Sequence, residues 1–207
     1  MHGNPQPKSL ELRSRPFGLA DYQHHVKNLM AVIRSIAART AQNSETVEEF
    51  MAHFDGRLAV LGRTQRMLAR SEMFAIDLEE LAHEELLSHA VTQPVTIAGL
   101  GVLLPQRIAE NLALALHELF SNAVKFGALS EKGGALSLTW RADGYKLLLE
   151  WRESGVPGVM SDPPYGFGRD WLEHGLAYQI STRTDLQFLP GGVACTITLP
   201  LHLVALS

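Results

Sequence analysis

The chain has 207 residues, of which 46% are hydrophobic, and 18 basic against 22 acidic side chains give a formal net charge of −4. This length and apolar content suffice for one or two domains with a buried core, while the charge balance gives no sign of a nucleic-acid surface. No apolar run approaches the roughly 20 residues of a membrane span, and the first 16 residues hold no signal-peptide core, which favours a cytoplasmic protein without membrane insertion. The single cysteine, Cys195, excludes a disulfide framework and a cysteine metal site.

Two helices are predicted first. Residues 1–18 are polar and proline-rich without a clear period, which is typical of an N-terminal arm. From residue 19 apolar side chains recur at steps of three and four, and after a turn at Asn43 and Ser44 the same spacing resumes. The two apolar stripes consist of Leu19, Tyr22, Val26, Leu29, Ile33 and Ile36, and of Val47, Met51, Phe54, Leu58, Leu61 and Leu68. The pattern predicts a helical hairpin domain over residues 19–88.

A two-helix hairpin with one apolar stripe per helix cannot cover both stripes by itself. It must either pair with a second copy as a four-helix bundle or pack on the rest of the chain. Of the two, a homodimer through the hairpin is the simpler prediction.

The second domain, residues 89–207, alternates short strands and helices. Residues 95–104 (VTIAGLGVLL) predict two short strands around two glycines, and Pro105 then opens a long helix to about Phe126. Residues 135–151 and 186–199 predict two hairpins, with a helix over 166–180 between them. The expected class is therefore α+β, with the helical hairpin followed by an α/β layer of mixed strands.

Two adjacent histidines lie near the start of the first helix. At about 100° per residue, His24 lies opposite the apolar stripe and faces water, whereas His25 lies nearer its flank. An exposed neutral imidazole offers a ring nitrogen as a nucleophile, and Asp21, one turn earlier, can hold the opposite ring nitrogen. A solvated side chain with no chemistry is the alternative interpretation of His24.

Three polar residues share one face of the long helix. Glu118, Asn122 and Lys125 are spaced i, i+4 and i+7. A carboxylate, an amide and an ammonium group together suit a magnesium nucleotide, because hard oxygens serve the ion and the lysine serves the phosphates. A solvated face with an internal ion pair is the alternative.

A carboxylate and a glycine turn extend this possible nucleotide site. Glu153 ends a strand and can accept a hydrogen bond from an exocyclic amine such as that of adenine, while Gly166 and Gly168 open a helix whose backbone donors suit phosphate. Each signal is weak by itself.

The order of these segments resembles the HWE group of bacterial sensor histidine kinases over residues of about 19 to 200. The segments are HHVKNLMAVIRSIA, FDGRLAVLGRTQRML, LALHELFSNAVKFGALS, WRESGVP, GFGRDWLEHGL and LPGGVACTITLP. His117, Trp151 and Glu153 match the three letters of the group's name. The resemblance implies a phosphoacceptor hairpin that dimerises and a GHKL-type ATP-binding domain. The function it implies for the protein is ATP-dependent autophosphorylation, followed by transfer of the phosphoryl group to an aspartate of a response-regulator receiver.

The resemblance also implies residue roles. His24 matches the phosphoacceptor, although His25 replaces the arginine that follows it in the family. Asn122 matches the magnesium ligand, and Glu118 the carboxylate that orders metal-bound water or assists proton transfer. The remaining nucleotide-binding positions implied are Lys125, His117, Glu153, Gly155, Gly166 and Gly168.

Some positions depart from the family pattern. The segment SGVP replaces the more usual Gly-Gly-Pro, and Ser181 and Thr182 stand where a glycine pair is common. The glycine changes keep open a histidine phosphotransfer protein whose catalytic-like domain no longer binds ATP. A docking module that inhibits another kinase, and needs neither the histidine nor a nucleotide, is a further alternative. Fewer than 20 residues precede the hairpin, too few for a folded sensory domain.

Overall fold

The protein begins with the predicted helical hairpin. The structure is a computed structural model that describes residues 19–91, 93–157 and 165–207. Helix α1 (Leu19–Gln42) and helix α2 (Val47–Arg70) are joined by a short turn. The side chain of Thr46 caps α2 by accepting a hydrogen bond from the backbone N–H of Glu49 at 3.1 Å. The predicted arm over residues 1–18 lies outside the described residues.

The hairpin packs on the rest of this chain along one face of α2. The buried residues of that face are Arg57, Val60, Leu61, Thr64 and Leu68. Two of the five are polar, so an apolar period alone does not identify this face. Three members of the predicted stripes, Val26, Val47 and Met51, are instead exposed, as is Met30. The hairpin therefore has one face against the second half of the chain and an apolar outer face.

A small sheet follows that the sequence pattern does not predict. Strand β1 (Ala75–Asp77) pairs antiparallel with β3 (Val102–Pro105), which in turn pairs with β8 (Ala205–Leu206). Helix α3 (Leu78–Ser88) follows β1 in the chain and packs against the long helix α4 (Gln106–Phe126). Residues 75–88 thus pack with the second half, although the sequence pattern groups them with the hairpin.

The main sheet has five strands in the order β2-β4-β5-β7-β6. Its parallel pair is β2 with β4, and the other neighbours are antiparallel. The strands are β2 (Val95–Gly99), β4 (Ala135–Asp143), β5 (Lys146–Ser154), β6 (Arg183–Leu189) and β7 (Gly192–Pro200). The two strands around Gly99 and both hairpins are confirmed.

Helices cover this sheet. The long helix α4 is buried along most of its length, and the ring of Phe120 meets Trp151 of β5 edge-on at 4.8 Å between centroids. The predicted second helix consists of α5 (Phe167–Asp170), a π-helical turn over Trp171–Gly175 and α6 (Leu176–Ile180).

The α+β class is confirmed by this arrangement of a helical hairpin and a mixed sheet. Within the described residues, the search for a helix long and apolar enough to cross a bilayer finds none.

Candidate functional site

One cavity of about 810 Å³ lies between the tip of the hairpin, α4 and the start of α5. This volume is in the range of pockets that bind small molecules and cofactors. Seven residues singled out from the sequence line it together: His117, Glu118, Asn122, Lys125, Glu153, Gly166 and Gly168. These residues come from three separate segments, so the fold brings the predicted nucleotide site into one place.

The polar face of α4 meets the glycine turn. A Cβ atom added to Gly168 would lie 2.9 Å from Oε2 of Glu118 and 3.3 Å from Nδ2 of Asn122. A larger residue at this position would therefore displace the carboxylate or the amide. Gly166 has open space around its Cα and is the N-cap of α5, where backbone N–H groups begin the helix.

Glu153 is buried in the wall of the cavity. Its Oε1 accepts a hydrogen bond from Nε1 of Trp151 at 2.9 Å, and its Oε2 accepts one from the backbone N–H of Ala128 at 2.8 Å. Burial raises the pKa of Glu153, although both hydrogen bonds act in the opposite direction. A Cβ on Gly127 would lie 2.1 Å from Oε2, so this glycine is what allows the carboxylate to sit here.

Gly155 does not line the cavity. Its φ of 76° is in the left-handed region that favours glycine, and a Cβ there would lie 2.6 Å from the carbonyl oxygen of Gly133. The local role of Gly155 is to let two loops approach each other. Ser181 adopts a similar conformation, with φ of 55°, at a position where the resemblance noted from the sequence implies glycine.

The hairpin supplies a cavity residue that the sequence pattern did not single out. Arg57 of α2 donates from Nε to Oε1 of Glu118 at 2.9 Å, and its side chain is only 6% exposed. Its guanidinium carbon lies 3.5 Å from the ring centroid of Phe167, between the two predicted glycines. The two partners of the ion pair are 61 residues apart in the chain, so no local pattern reveals the contact.

His117 has a buried partner that also escapes sequence analysis. Its Nδ1 lies 3.3 Å from Oε2 of Glu85, whose other oxygen accepts a hydrogen bond from Arg63 at 2.7 Å. Burial by itself would raise the pKa of Glu85, but the hydrogen bonds and charges of His117 and Arg63 outweigh it and lower the pKa. Glu85 is thus an ionised, desolvated anchor for the imidazole of His117.

His89 completes this cluster. Its Nδ1 lies 2.8 Å from the carbonyl oxygen of Glu85, and its ring is 5.3 Å from that of His117. Burial lowers the pKa of His89, and the charge of His117 acts in the same direction. Ligand atoms of Glu85, His89 and His117 lie within 4.8 Å of one another, but Arg63 already neutralises the carboxylate.

The predicted phosphoacceptor lies far from the cavity along α1. The side chains of Asp21 and His24 lie outside the described residues, so their predicted roles stay predictions. Among the side chains of α1 that the structure describes, Thr40 is the first to line the cavity, and it follows His24 by 16 residues. At 1.5 Å per residue this separates the two backbone positions by about 24 Å along the helix axis, much more than a histidine side chain spans.

Comparisons with known proteins find histidine kinases. Residues 21–101 match the family model of HWE histidine kinases. A blue-light-activated histidine kinase of Brucella abortus is 29% identical over 184 residues, a region that covers 86% of this chain and 38% of the relative. Blue-light-activated histidine kinase 1 of Erythrobacter litoralis is 31% identical over 193 residues, covering 88% and 52% respectively. The chain thus spans about half the length, or less, of these relatives.

Solved structures share the fold. The blue-light activated histidine kinase of Erythrobacter litoralis EL346 superimposes with a TM-score of 0.65 at 14% identity, over 91% of this chain and 62% of that one. Its isolated histidine kinase domain gives a TM-score of 0.60 at 13% identity, over 83% and 95%. The predicted combination of hairpin and sheet is confirmed as a known fold.

Proposed function

Because the chain carries an HWE histidine kinase domain, we propose that it transfers the γ-phosphoryl group of ATP to His24 and then to an aspartate of a response-regulator receiver. The observation that carries the proposal is the cavity, in which seven residues predicted for nucleotide binding meet. If this face of α4 had only a structural role, a glycine turn and a buried carboxylate would not be needed beside it.

The residues of the cavity fit a magnesium nucleotide. Oxygens of Asn122 and Glu118 are hard donors of the kind that Mg²⁺ prefers, and the ion when bound would neutralise phosphate charge. Lys125 and the backbone around Gly166 and Gly168 are proposed to hold the phosphates, with His117 beside them. Glu153 would accept a hydrogen bond from the adenine amine.

The first chemical step forms a phosphorus–nitrogen bond on His24. The lone pair of one ring nitrogen attacks the γ-phosphorus, and the bond to the oxygen that links the β- and γ-phosphates breaks, so that ADP leaves with that electron pair. Asp21 is proposed to hold the proton on the opposite ring nitrogen. In the second step an aspartate carboxylate of the receiver attacks the same phosphorus, and His24 is released.

The outer face of the hairpin fits the predicted homodimer. Val26, Met30, Val47 and Met51 expose 38–71% of their surface on helices that the rest of the chain leaves uncovered. A second hairpin would bury this face in a four-helix bundle.

Incubation with γ-labelled ATP and Mg²⁺ tests the proposal. Wild type and His25→Ala should take up acid-labile label, whereas His24→Ala and Asn122→Ala should not. Label that survives His24→Ala but is lost in His25→Ala would move the acceptor by one residue. A wild type that takes no label from ATP, yet accepts phosphoryl from a phosphorylated receiver, would favour the phosphotransfer alternative.

A further inference from the structure

Two histidines and a glutamate form a cluster where α3 packs against α4, beside the cavity. One ligand atom from each of Glu85, His89 and His117 lies within 4.8 Å of the other two. Glu85 is buried and both imidazoles are partly buried, while His117 also lines the cavity. The cluster therefore combines a fixed carboxylate with two rings that an ion from solution can reach.

The carboxylate of Glu85 keeps one oxygen for a ligand. Arg63 donates to its Oε1 at 2.7 Å, whereas Oε2 lies 3.3 Å from Nδ1 of His117. The second separation is longer than the roughly 2.9–3.0 Å that is commonest for N–H···O hydrogen bonds. It is close to the edge of a tetrahedron whose centre is about 2.0–2.1 Å from each ligand, as in zinc sites. Oε2 and Nδ1 are thus spaced as two ligands of one ion.

His89 is oriented as a metal-binding histidine. Its Nδ1 donates to the carbonyl oxygen of Glu85 at 2.8 Å, so Nε2 carries the free lone pair. Burial lowers the pKa of this ring, which favours the neutral form that binds metals. Although burial acts to raise the pKa of Glu85, the hydrogen bonds from His117 and Arg63 lower it, so the carboxylate is ionised.

The charges and atom types select a class of ion. The guanidinium of Arg63 beside the carboxylate disfavours Mg²⁺ and Ca²⁺, which depend on oxygen ligands and negative charge. Zn²⁺ and neighbouring divalent transition metals also bind neutral imidazole nitrogen. Two imidazoles and one carboxylate, with the fourth position open, are a ligand set that Zn²⁺ takes in proteins.

We propose that Glu85, His89 and His117 form a binding site for Zn²⁺ or a similar divalent transition-metal ion. The ligand atoms are Oε2, Nε2 and Nδ1 respectively, and water fills the fourth position. The neutral ring of His117 then carries its proton on Nε2. The site is distinct from the magnesium site proposed at Asn122 and Glu118, and it does not depend on the proposed function.

Titration of the metal-free chain with Co²⁺ alone tests the site. Co²⁺ replaces Zn²⁺ in tetrahedral sites and absorbs visible light much more strongly there than in water. Wild type should develop this absorption band with a single equivalent of Co²⁺, and Zn²⁺ should abolish it by displacing the ion. A folded wild type without a tetrahedral band would overturn the proposal.

His83→Gln is the matched control for His89→Gln. Nδ1 of His83 lies 2.9 Å from the carbonyl oxygen of Glu79, so both rings contact the carbonyl four residues earlier. Of the two, His89 is the one that belongs to the cluster. His83→Gln should keep the wild-type band, whereas His89→Gln should weaken Co²⁺ binding by at least about tenfold. A band that His89→Gln leaves unchanged would overturn the site.

Stabilisation by Zn²⁺ against urea gives a second measurement, which also shows whether each variant folds. Because the ion binds the assembled site, Zn²⁺ should raise the urea midpoint of wild type and His83→Gln but not of His89→Gln. If His89→Gln does not unfold cooperatively, His117→Gln replaces it with the same expectation. An equal rise in wild type and in the folded ligand variant would place the ion elsewhere and overturn the proposal.

Discussion

The two long helices that meet at the cavity, α2 and α4, are buried in different ways. Helix α4 is enclosed by the sheet, α3 and the hairpin, and most of its side chains are inaccessible. Helix α2 has one buried face, which includes a charged arginine, and an outer face with exposed apolar residues. The difference indicates that α4 lies inside the core, whereas the hairpin joins that core along one face only, through apolar side chains and ion pairs.

The largest expected effect lies in the core beneath α4. Phe120→Ala removes a fully buried ring that packs edge-on against Trp151, and it should lower the free energy of unfolding by about 3–5 kcal/mol. Met30→Ala on the outer face of α1 should change it by less than about 0.5 kcal/mol in the monomer. Urea unfolding measures both. Equal losses in the two variants would contradict the contrast between core and hairpin.

The next effect concerns the anchor of His117. Glu85→Gln leaves Arg63 and His117 without their carboxylate partner in a buried site, which should cost about 1–3 kcal/mol of stability. Glu80→Gln, exposed on the same helix, should stay within about 0.5 kcal/mol of wild type. Chemical denaturation measures the stability of both variants. If Glu85→Gln left the free energy of unfolding unchanged, the cluster would have to be solvated.

A smaller effect is expected where a serine adopts a glycine conformation. Ser181→Gly should stabilise the fold by roughly 0.5–1 kcal/mol, because it relieves the left-handed backbone at φ of 55°. The same change at Ser35, inside α1, should destabilise by a similar amount. Thermal unfolding measures both variants, and melting temperatures that shift in the same direction would argue against strain at Ser181.

The smallest effect is a dependence of stability on pH near His89. Burial holds the pKa of this ring below the 6.5 of the unfolded chain, so the unfolded state binds the proton more readily. Stability is therefore fully present above about pH 6.5 and falls as the pH drops through the folded-state pKa. His89→Gln should make the free energy of unfolding depend less on pH below about pH 6.5, and an unchanged slope would assign the dependence to another group.

Local periodicity predicts much of the fold but stops where elements are short or contacts are distant. The face of α4 that carries Glu118, Asn122 and Lys125 follows from its spacing. Strand β1 has three residues, too few to show a period. The small sheet and the packing of α3 therefore could not be predicted from the sequence.

The same limit applies to the candidate site. The residues of α4 and the glycine turn come from patterns within one segment. Arg57 and Glu85 reach their partners across 61 and 32 residues, and both are charged residues in helices, where sequence alone predicts a solvated position. Their burial depends on a partner that only the tertiary structure brings near.

Calorimetric titration with Mg²⁺ and a non-hydrolysable ATP analogue tests the central claim, that the cavity between hairpin and α4 holds the nucleotide. Wild type and His24→Ala should bind with equal affinity, because His24 is remote from the cavity. Asn122→Ala should weaken binding by about 10- to 100-fold through loss of a contact with charged groups. Equal binding by Asn122→Ala and wild type, or none by the folded wild type, would contradict the account.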